Sequence, residues 1–315
     1  DNSQNANQMH VEIHSKKPGF SVYMLTIPSK EKRTQSFINR LFFGTINTDT
    51  EIPILSYNIL QQKLEYIGYG DRLSKTINLN LLGSNPSKYI KKRTFYFGTD
   101  KYGRDLLSRL IIGTRISFFI GFIAVFISLF IGIAIGAIAG YYGGKLDVFI
   151  MWIINITWSI PTLLLVIAIT LALGKGYWQV FVAVGLTMWV EVARVVRGQV
   201  LTTKQQQYVE AAKALGYSNF RIIFRHILPN ILAPIIVISA ANFAAAILIE
   251  SGLSFLGIGA QPPTPSWGAI IKNHYNYIIL GKPFLAIIPG LAIMSLVMAC
   301  MLIGNALRDA LDVKA

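Results

Sequence analysis

Five stretches without a charged side chain, residues 116–144, 148–174, 176–190, 227–249 and 283–307, constrain this 315-residue chain more than any other feature. A helix rising about 1.5 Å per residue needs about 20 apolar residues to cross a hydrocarbon core about 30 Å thick. The runs of 29, 27, 23 and 25 residues meet that length. The 15 residues from Gly176 to Val190 reach it by adding the turn from Glu191 to Arg194. Burying four such runs as core helices of a water-soluble protein would need a large polar shell, which residues 116–315 do not supply. The expected fold class is therefore an all-α polytopic membrane protein with five visible transmembrane helices.

Charge is distributed unevenly along the chain. Residues 1–115 hold 17 of the 29 Lys and Arg and nine of the 15 Asp and Glu, leaving 12 and six for the remaining 200 residues. The net +14 thus divides into +8 and +6. In short loops, Lys and Arg accumulate on the cytoplasmic side of a membrane. Arg194, Arg197, Lys204, Lys213, Arg221 and Arg225 all lie in one connection, and placing it inside also places Lys145, Arg308 and Lys314 there. Only Lys175, Lys272 and Lys282 then lie outside, so the C-terminus is expected in the cytoplasm. Five spans put residues 1–115 on the outer side. A basic segment of that length does not cross unaided and carries no signal-peptide core, so a sixth span is expected before Asp1.

Residues 1–96 read as a small α+β extracytoplasmic segment, and residues 97–315 as the membrane domain. Alternating apolar patterns at Ser21–Ile27 and Thr76–Leu82 predict strands, and Ser36–Phe43 an amphipathic helix. The basic clusters at Lys16, Lys17, Lys30, Lys32, Arg33 and Lys91–Arg93 read as solvated surface, with no nucleic-acid partner.

Several chemistries lack their residues. Cys300 is the only cysteine, which excludes a disulfide framework. No G-x-x-x-x-G-K-[ST] phosphate loop occurs. His10, His14, His226 and His274 form no H-E-x-x-H pair, so no metal site is expected. The centres of the uncharged runs offer no base to a serine nucleophile. Three function classes then compete: an ATP-driven permease, an ATPase-independent channel or secondary transporter, and a membrane hydrolase. The second needs charged or polar groups near the span centres, which are nearly absent.

The basic connection is the most informative stretch. Gln205 to Leu215, QQQYVEAAKAL, is rich in helix formers, with Tyr208, Ala211, Ala212 and Leu215 near one face. Gly216 falls where a left-handed C-terminal cap stops a helix. Ser218 caps a second short helix through Arg225, and Pro229 suits the opening turn of the next span. Small Ala211 and Ala212 beside Glu210 allow close approach by another surface, with a carboxylate as polar anchor; an ordinary amphipathic interfacial helix fits the composition equally.

Glu210-Ala211-Ala212, three residues, Gly216, nine residues, then His226-Ile227-Leu228-Pro229 resembles the EAA loop of ABC importer permeases, with His226 in place of the usual isoleucine. Gly98–Arg109 (GTDKYGRDLLSR) and Gly113–Ser117 (GTRIS) are similar to the segment before the second span of dipeptide and oligopeptide permeases. Glu250–Gly257, Gln261–Gly268 and Gly304–Asp312 continue the resemblance, which covers about residues 97–313 and points to the C-type subunit of the pair. It implies a type I importer permease in a bacterial inner membrane, normally with six spans. The implied function is peptide import, with nickel chelates or antimicrobial peptides as alternatives.

The resemblance also implies partners: a B-type second permease, two ATPase subunits that hold ATP and Mg, an extracytoplasmic solute-binding protein, and the lipid bilayer. No catalytic residue and no cofactor belongs to this chain. Residues 199–226 become the ATPase-coupling loop, with Tyr208, Glu210, Ala211, Ala212, Leu215, Gly216 and Pro229 as its contacts and turns. Arg104, Asp105, Arg109, Glu250, Gln261 and Trp267 are expected at an outer gate or a partner contact. Glu250 is placed at a span end that water reaches. Pro161 frees a backbone carbonyl within a long run, and with Asn155 and Ser159 it is a pathway candidate.

Overall fold

The computed structural model describes residues 7–29, 36, 37, 40, 48–60, 63–78, 88–174, 176–259 and 264–311. Two compact units emerge, one of Asp1–Ile116 with Pro262–Ala292 and one of Ser117–Gln261 with Ile293–Ala315. The boundary expected at residue 96 falls inside the first unit. Composition marks where charge runs out, whereas packing joins the residues that share a core.

The first unit contains a five-stranded antiparallel sheet of order β4-β3-β2-β1-β5. Its strands are β1 (Phe20–Ile27), β2 (Thr50–Leu60), β3 (Lys63–Gly68), β4 (Ser74–Asn78) and β5 (Ile90–Phe95). β1 lies inside the sheet, between β2 and β5, and presents apolar side chains on both faces. Val22 and Met24 pack with Ile13 and Phe95, while Leu25 packs with Ile54, Leu64, Tyr66 and Ile90. The run expected from Ser21 is β1, and the one from Thr76 contributes to β4. The helix expected at Ser36–Phe43 lies mostly outside the described residues.

Hydrogen bonds outside the sheet also tie the segment before β1 to the one after β5. Ser15 N donates to Asp100 O (2.8 Å), His10 N to Tyr102 O (3.0 Å), and Thr99 Oγ1 to Ile13 O (2.5 Å). This unit also holds the short helix Trp267–His274.

The apolar runs form helices: α1 (Leu106–Tyr142), α2 (Gly144–Ser159), α3 (Thr162–Leu173), α4 (Tyr177–Thr203), α5 (Gln207–Ala214), α6 (Asn219–Ile222), α7 (Leu232–Leu256), α8 (Trp267–His274) and α9 (Phe284–Leu311). Among the described residues, four continuous helical stretches have the length and hydropathy of a membrane span: α1, Trp178–Thr203 in α4, Asn219–Leu256 through α7, and α9. The run from Val148 to Gly174, expected as one kinked span, is instead the pair α2 and α3, bent by 91°. Pro161 has no N–H, and Ile160 before it is extended at φ −89° and ψ 127°, as a residue preceding proline prefers.

Exposure shows how these helices differ from a water-soluble core. Phe118, Phe122, Phe126 and Phe130 recur every fourth residue on α1, and all remain 49% to 74% exposed. Where α1 meets α4, the helix surface is small. A Cβ on Gly136 would lie 2.5 Å from Ala193 O, and one on Gly132 2.5 Å from the Val192 Cβ. Glycine thus lets the α1 backbone approach α4, as small residues do at membrane helix contacts. Val192, Val196 and Val200 fill that seam and pack with Ile223, Ile227 and Ile231.

Candidate functional site

The connection between α4 and α7 is built by local backbone chemistry. α5 ends in a Schellman cap: Gly216 is left-handed at φ +76°, its N–H donates to Lys213 O (2.9 Å), and Tyr217 N–H donates to Ala212 O (3.1 Å). Ser218 caps α6 by accepting from Arg221 N at 3.4 Å. The backbone then widens into a π-turn at Ile223–Ile227 and tightens into a 3-10 turn at Leu228–Ile231, with Pro229 in its opening turn. Pro229 has no N–H for the carbonyl four residues earlier and its ring crowds that carbonyl, which accounts for the change of winding. Asn230 Nδ2 donates to His226 O at 2.6 Å within that turn.

Which face of α5 is bare follows from helical phase. Val209 and Ala212 are buried against Val196, Val200 and Ile222. Tyr208, Glu210, Ala211 and Leu215 are exposed. This corrects the grouping of Ala212 with Tyr208, Ala211 and Leu215: positions 209 and 212 form the inward seam, and 208, 211 and 215 lie beside it. Phe220 and Phe224, also exposed, pair at 4.3 Å between ring centroids. The sequence reading missed both, though their spacing of four within a basic, apolar stretch carries the signal.

The base of this element is fastened by charge. Arg197 grips Asp147 through two hydrogen bonds of 2.5 and 2.6 Å, joining α4 to the first turn of α2. Lys204 Nζ donates to Gly140 O (2.9 Å) and Tyr141 O (3.3 Å), satisfying carbonyls at the C-terminus of α1.

A second group of expected site residues lies in the first unit. Asp100, fully buried, accepts from Tyr102 N (2.8 Å), Arg104 N (2.9 Å) and Arg104 Nε (2.6 Å), with Arg109 Nε at 3.6 Å. Asp105 accepts from the backbone N and hydroxyl of Ser108. Burial pushes its carboxyl pKa up, partly offset by those hydrogen bonds. Arg104 and Arg109 therefore find their carboxylate locally, in Asp100, which the sequence reading passed over. Gly103 fixes the turn between Asp100 and Arg104: it is left-handed at φ +72°, and a Cβ there would collide with the His10 carbonyl.

Trp267 reaches the start of α1 in the same unit. Ser266 caps α8 by accepting from Ala269 N, and the indole Nε1 of Trp267 donates to Leu110 O at 2.9 Å. A Cβ on Gly113 would lie 2.8 Å from the Trp267 ring. His274, the last residue of α8, hydrogen-bonds Ile270 O through Nδ1 (2.7 Å) and accepts from Lys101 N at Nε2 (3.2 Å). The pair of contacts defines a neutral ring with its proton on Nδ1. Burial first, and then Lys101 and Arg109, hold its pKa down to about 4 against the pull of the Ile270 carbonyl and Asp100. Gln261 lies outside the described residues.

Glu250 corrects the expectation of a water-reached carboxylate. It is fully buried on α7, and Ser254 Oγ donates to its Oε1 at 2.6 Å. The helix continues to Leu256 beyond it, which carries the side chain inward.

Of the three pathway candidates, the structure places Pro161 alone in a cleft at the α2–α3 break. Pro161 lines a cleft of about 260 Å³ with Thr157, Thr162, Thr187 and Glu191. Asn155 Oδ1 accepts from Arg194 at 3.0 Å, and Ser159 Oγ donates to Asn155 O at 2.8 Å, so neither lies among the cleft's lining residues. Among the described residues, no three His, Cys, Asp or Glu side chains converge to hold a metal ion.

Residues 132–315 match the protein family described as "Binding-protein-dependent transport system inner membrane component". The chain is 41% identical over 233 residues to the dipeptide transport system permease protein DppC of Alkalihalophilus pseudofirmus, covering 73% of this chain and 76% of that one. It is 42% identical over 219 residues to the glutathione transport system permease protein GsiD of Pectobacterium atrosepticum, covering 70% and 72%. Among solved structures, the inward-facing MetNI methionine ABC transporter aligns with 65% of this chain and 97% of its own at a TM-score of 0.56 and 20% identity, a likeness of fold.

Proposed function

The chain belongs to the family of binding-protein-dependent transport system inner membrane components, and from that premise we propose that it imports short peptides across a bacterial inner membrane as one of two paired permeases. Its relatives named for dipeptides and for glutathione share 41% and 42% of aligned residues with it, and that observation carries the choice of substrate. The partner is a B-type permease, and the translocation pathway runs between the two. A solute-binding protein delivers the peptide from outside.

The energy comes from two ATPase subunits that hold ATP and Mg. Each receives the bare face of a coupling helix; here it is α5, presenting Tyr208, Glu210, Ala211 and Leu215. Nucleotide-driven closure of the ATPases displaces that helix. Its inward seam of Val209 and Ala212, and the Arg197–Asp147 clamp, pass the displacement to α4 and α2. The spans then rock between outward and inward access. The excess of Lys and Arg in this connection supports a cytoplasmic α5, with residues 1–96 and the Trp267 region outside.

Affinity purification of the chain from its native host tests the assembly. Two ATPases and a second permease are expected to copurify. Mass spectrometry of the ligand on the accompanying binding protein identifies the substrate, a short peptide on this proposal; a nickel chelate there would contradict it.

A further inference from the structure

Glu191 lies near the middle of α4, thirteen residues after Trp178 and twelve before Thr203, the ends of the membrane-length stretch. Its side chain is exposed and lines the cleft at the α2–α3 break. The nearest cation along the helix, Arg194, stacks on the Trp158 ring of the cleft wall, 3.8 Å from its centroid, and donates to Asn155. None of the ion pairs among the described residues includes Glu191.

Two physical arguments make this cleft aqueous. A carboxylate at membrane depth is costly against lipid, so such groups face a water-filled cavity or a polar partner and mark substrate paths. Backbone interrupted at membrane depth, as at Ile160 and Pro161, is tolerated only where protein covers it or water fills the space. Both features line one cleft.

The donor and acceptor inventory then selects the ligand. Thr157 Oγ1 donates to Ile153 O and Thr187 Oγ1 to Val184 O, which spends each hydroxyl proton and leaves oxygen lone pairs as acceptors. Together with the Glu191 carboxylate they form an acceptor cluster with one negative charge, in a cleft that also holds the Thr162 hydroxyl and the Trp158 indole. A primary ammonium, with three N–H donors and one positive charge, matches it. A hard divalent cation requires about six or more oxygens, in which several carboxylates commonly share.

We propose that Glu191 binds the free amino terminus of the peptide during its passage, making the α2–α3 cleft a recognition site for a primary ammonium. The assignment rests on the peptide-import function proposed above. Dipeptides and glutathione both carry this group.

The experiment measures ATP-driven import of radiolabelled trialanine into proteoliposomes containing the complete transporter, normalised to assembled complex, for wild type, Glu191→Gln and Glu191→Asp. Loss of one charged hydrogen-bonding partner predicts import about tenfold slower in Glu191→Gln. Glu191→Asp, which keeps the charge, is expected to restore most of the rate. Import by Glu191→Gln within about twofold of wild type overturns the proposal and leaves peptide import standing, and so does a Glu191→Asp variant as slow as Glu191→Gln. Absence of trialanine import by the wild type removes the peptide substrate itself, and the ammonium site with it.

Discussion

The indole Nε1 of Trp267 donates to the carbonyl oxygen of Leu110 at 2.9 Å, joining residues 157 positions apart in the sequence. Gly113 provides the room: a Cβ there would lie 2.8 Å from Trp267 Cδ1. The first turns of α1 and the start of α8 are thus one packed junction, and two substitutions separate its polar and steric parts. Trp267→Phe removes the hydrogen bond, keeps an aromatic ring, and is expected to cost about 1 kcal/mol. Gly113→Leu drives a side chain into the indole and is expected to cost about 1–3 kcal/mol. Thermal unfolding of the purified protein in detergent should rank them in that order.

Asp100 should be far less tolerant. Removing one partner of a buried ion pair leaves an uncompensated charge and typically costs about 3–5 kcal/mol. Asp100→Ala is therefore expected to lower the melting temperature more than Arg104→Ala, because it takes a buried carboxylate from two guanidinium groups, those of Arg104 and Arg109.

His274 gives this region a pH signature. Its folded pKa, about 4, lies below the ordinary 6.5, so between these values the unfolded chain binds the extra proton. Stability from this group is full above about pH 6.5 and is lost as pH falls toward and through about 4. His274→Gln should flatten the melting-temperature profile across that window. An unchanged slope would place the titration on another group.

Gly216 tests the coupling element. No atom lies within 4 Å of a Cβ placed there, so substitution acts through the left-handed backbone alone. Gly216→Ala is expected to destabilise the cap by about 1 kcal/mol. The α4–α7 connection should still assemble, while stimulation of ATP hydrolysis by peptide-loaded binding protein falls. Glu210→Ala and Leu215→Asp, which alter the bare face and keep the left-handed Gly216, should weaken ATPase copurification instead.

The legible part of the fold came from two signals. Uncharged length located the four membrane-length helical stretches among the described residues, because hydrocarbon excludes charge whatever the packing. The residues Gly216, Ser218 and Pro229 marked the turns around α5 because each acts on its own backbone. What pattern concealed was partnership at a distance. Arg197 reaches Asp147 across 50 residues, a pairing with no local spacing rule, while Asp100 gathers Arg104 and Arg109 through a turn outside any helix, where a spacing of four carries no signal. The burial of Glu250 was concealed for a related reason, since a span that ends in sequence at a charge continues as helix to Leu256. Glu191 looked like the end of a short span for the same reason, yet α4 runs on to Thr203 and leaves it central.

The central claim is that this chain carries peptides only as part of an ATP-driven assembly. Uptake of trialanine into proteoliposomes, with and without the two ATPases and with ATP or a non-hydrolysable analogue, tests it most directly. Accumulation above the outside concentration is predicted only when both ATPases and ATP are present; equal uptake without them would contradict the account.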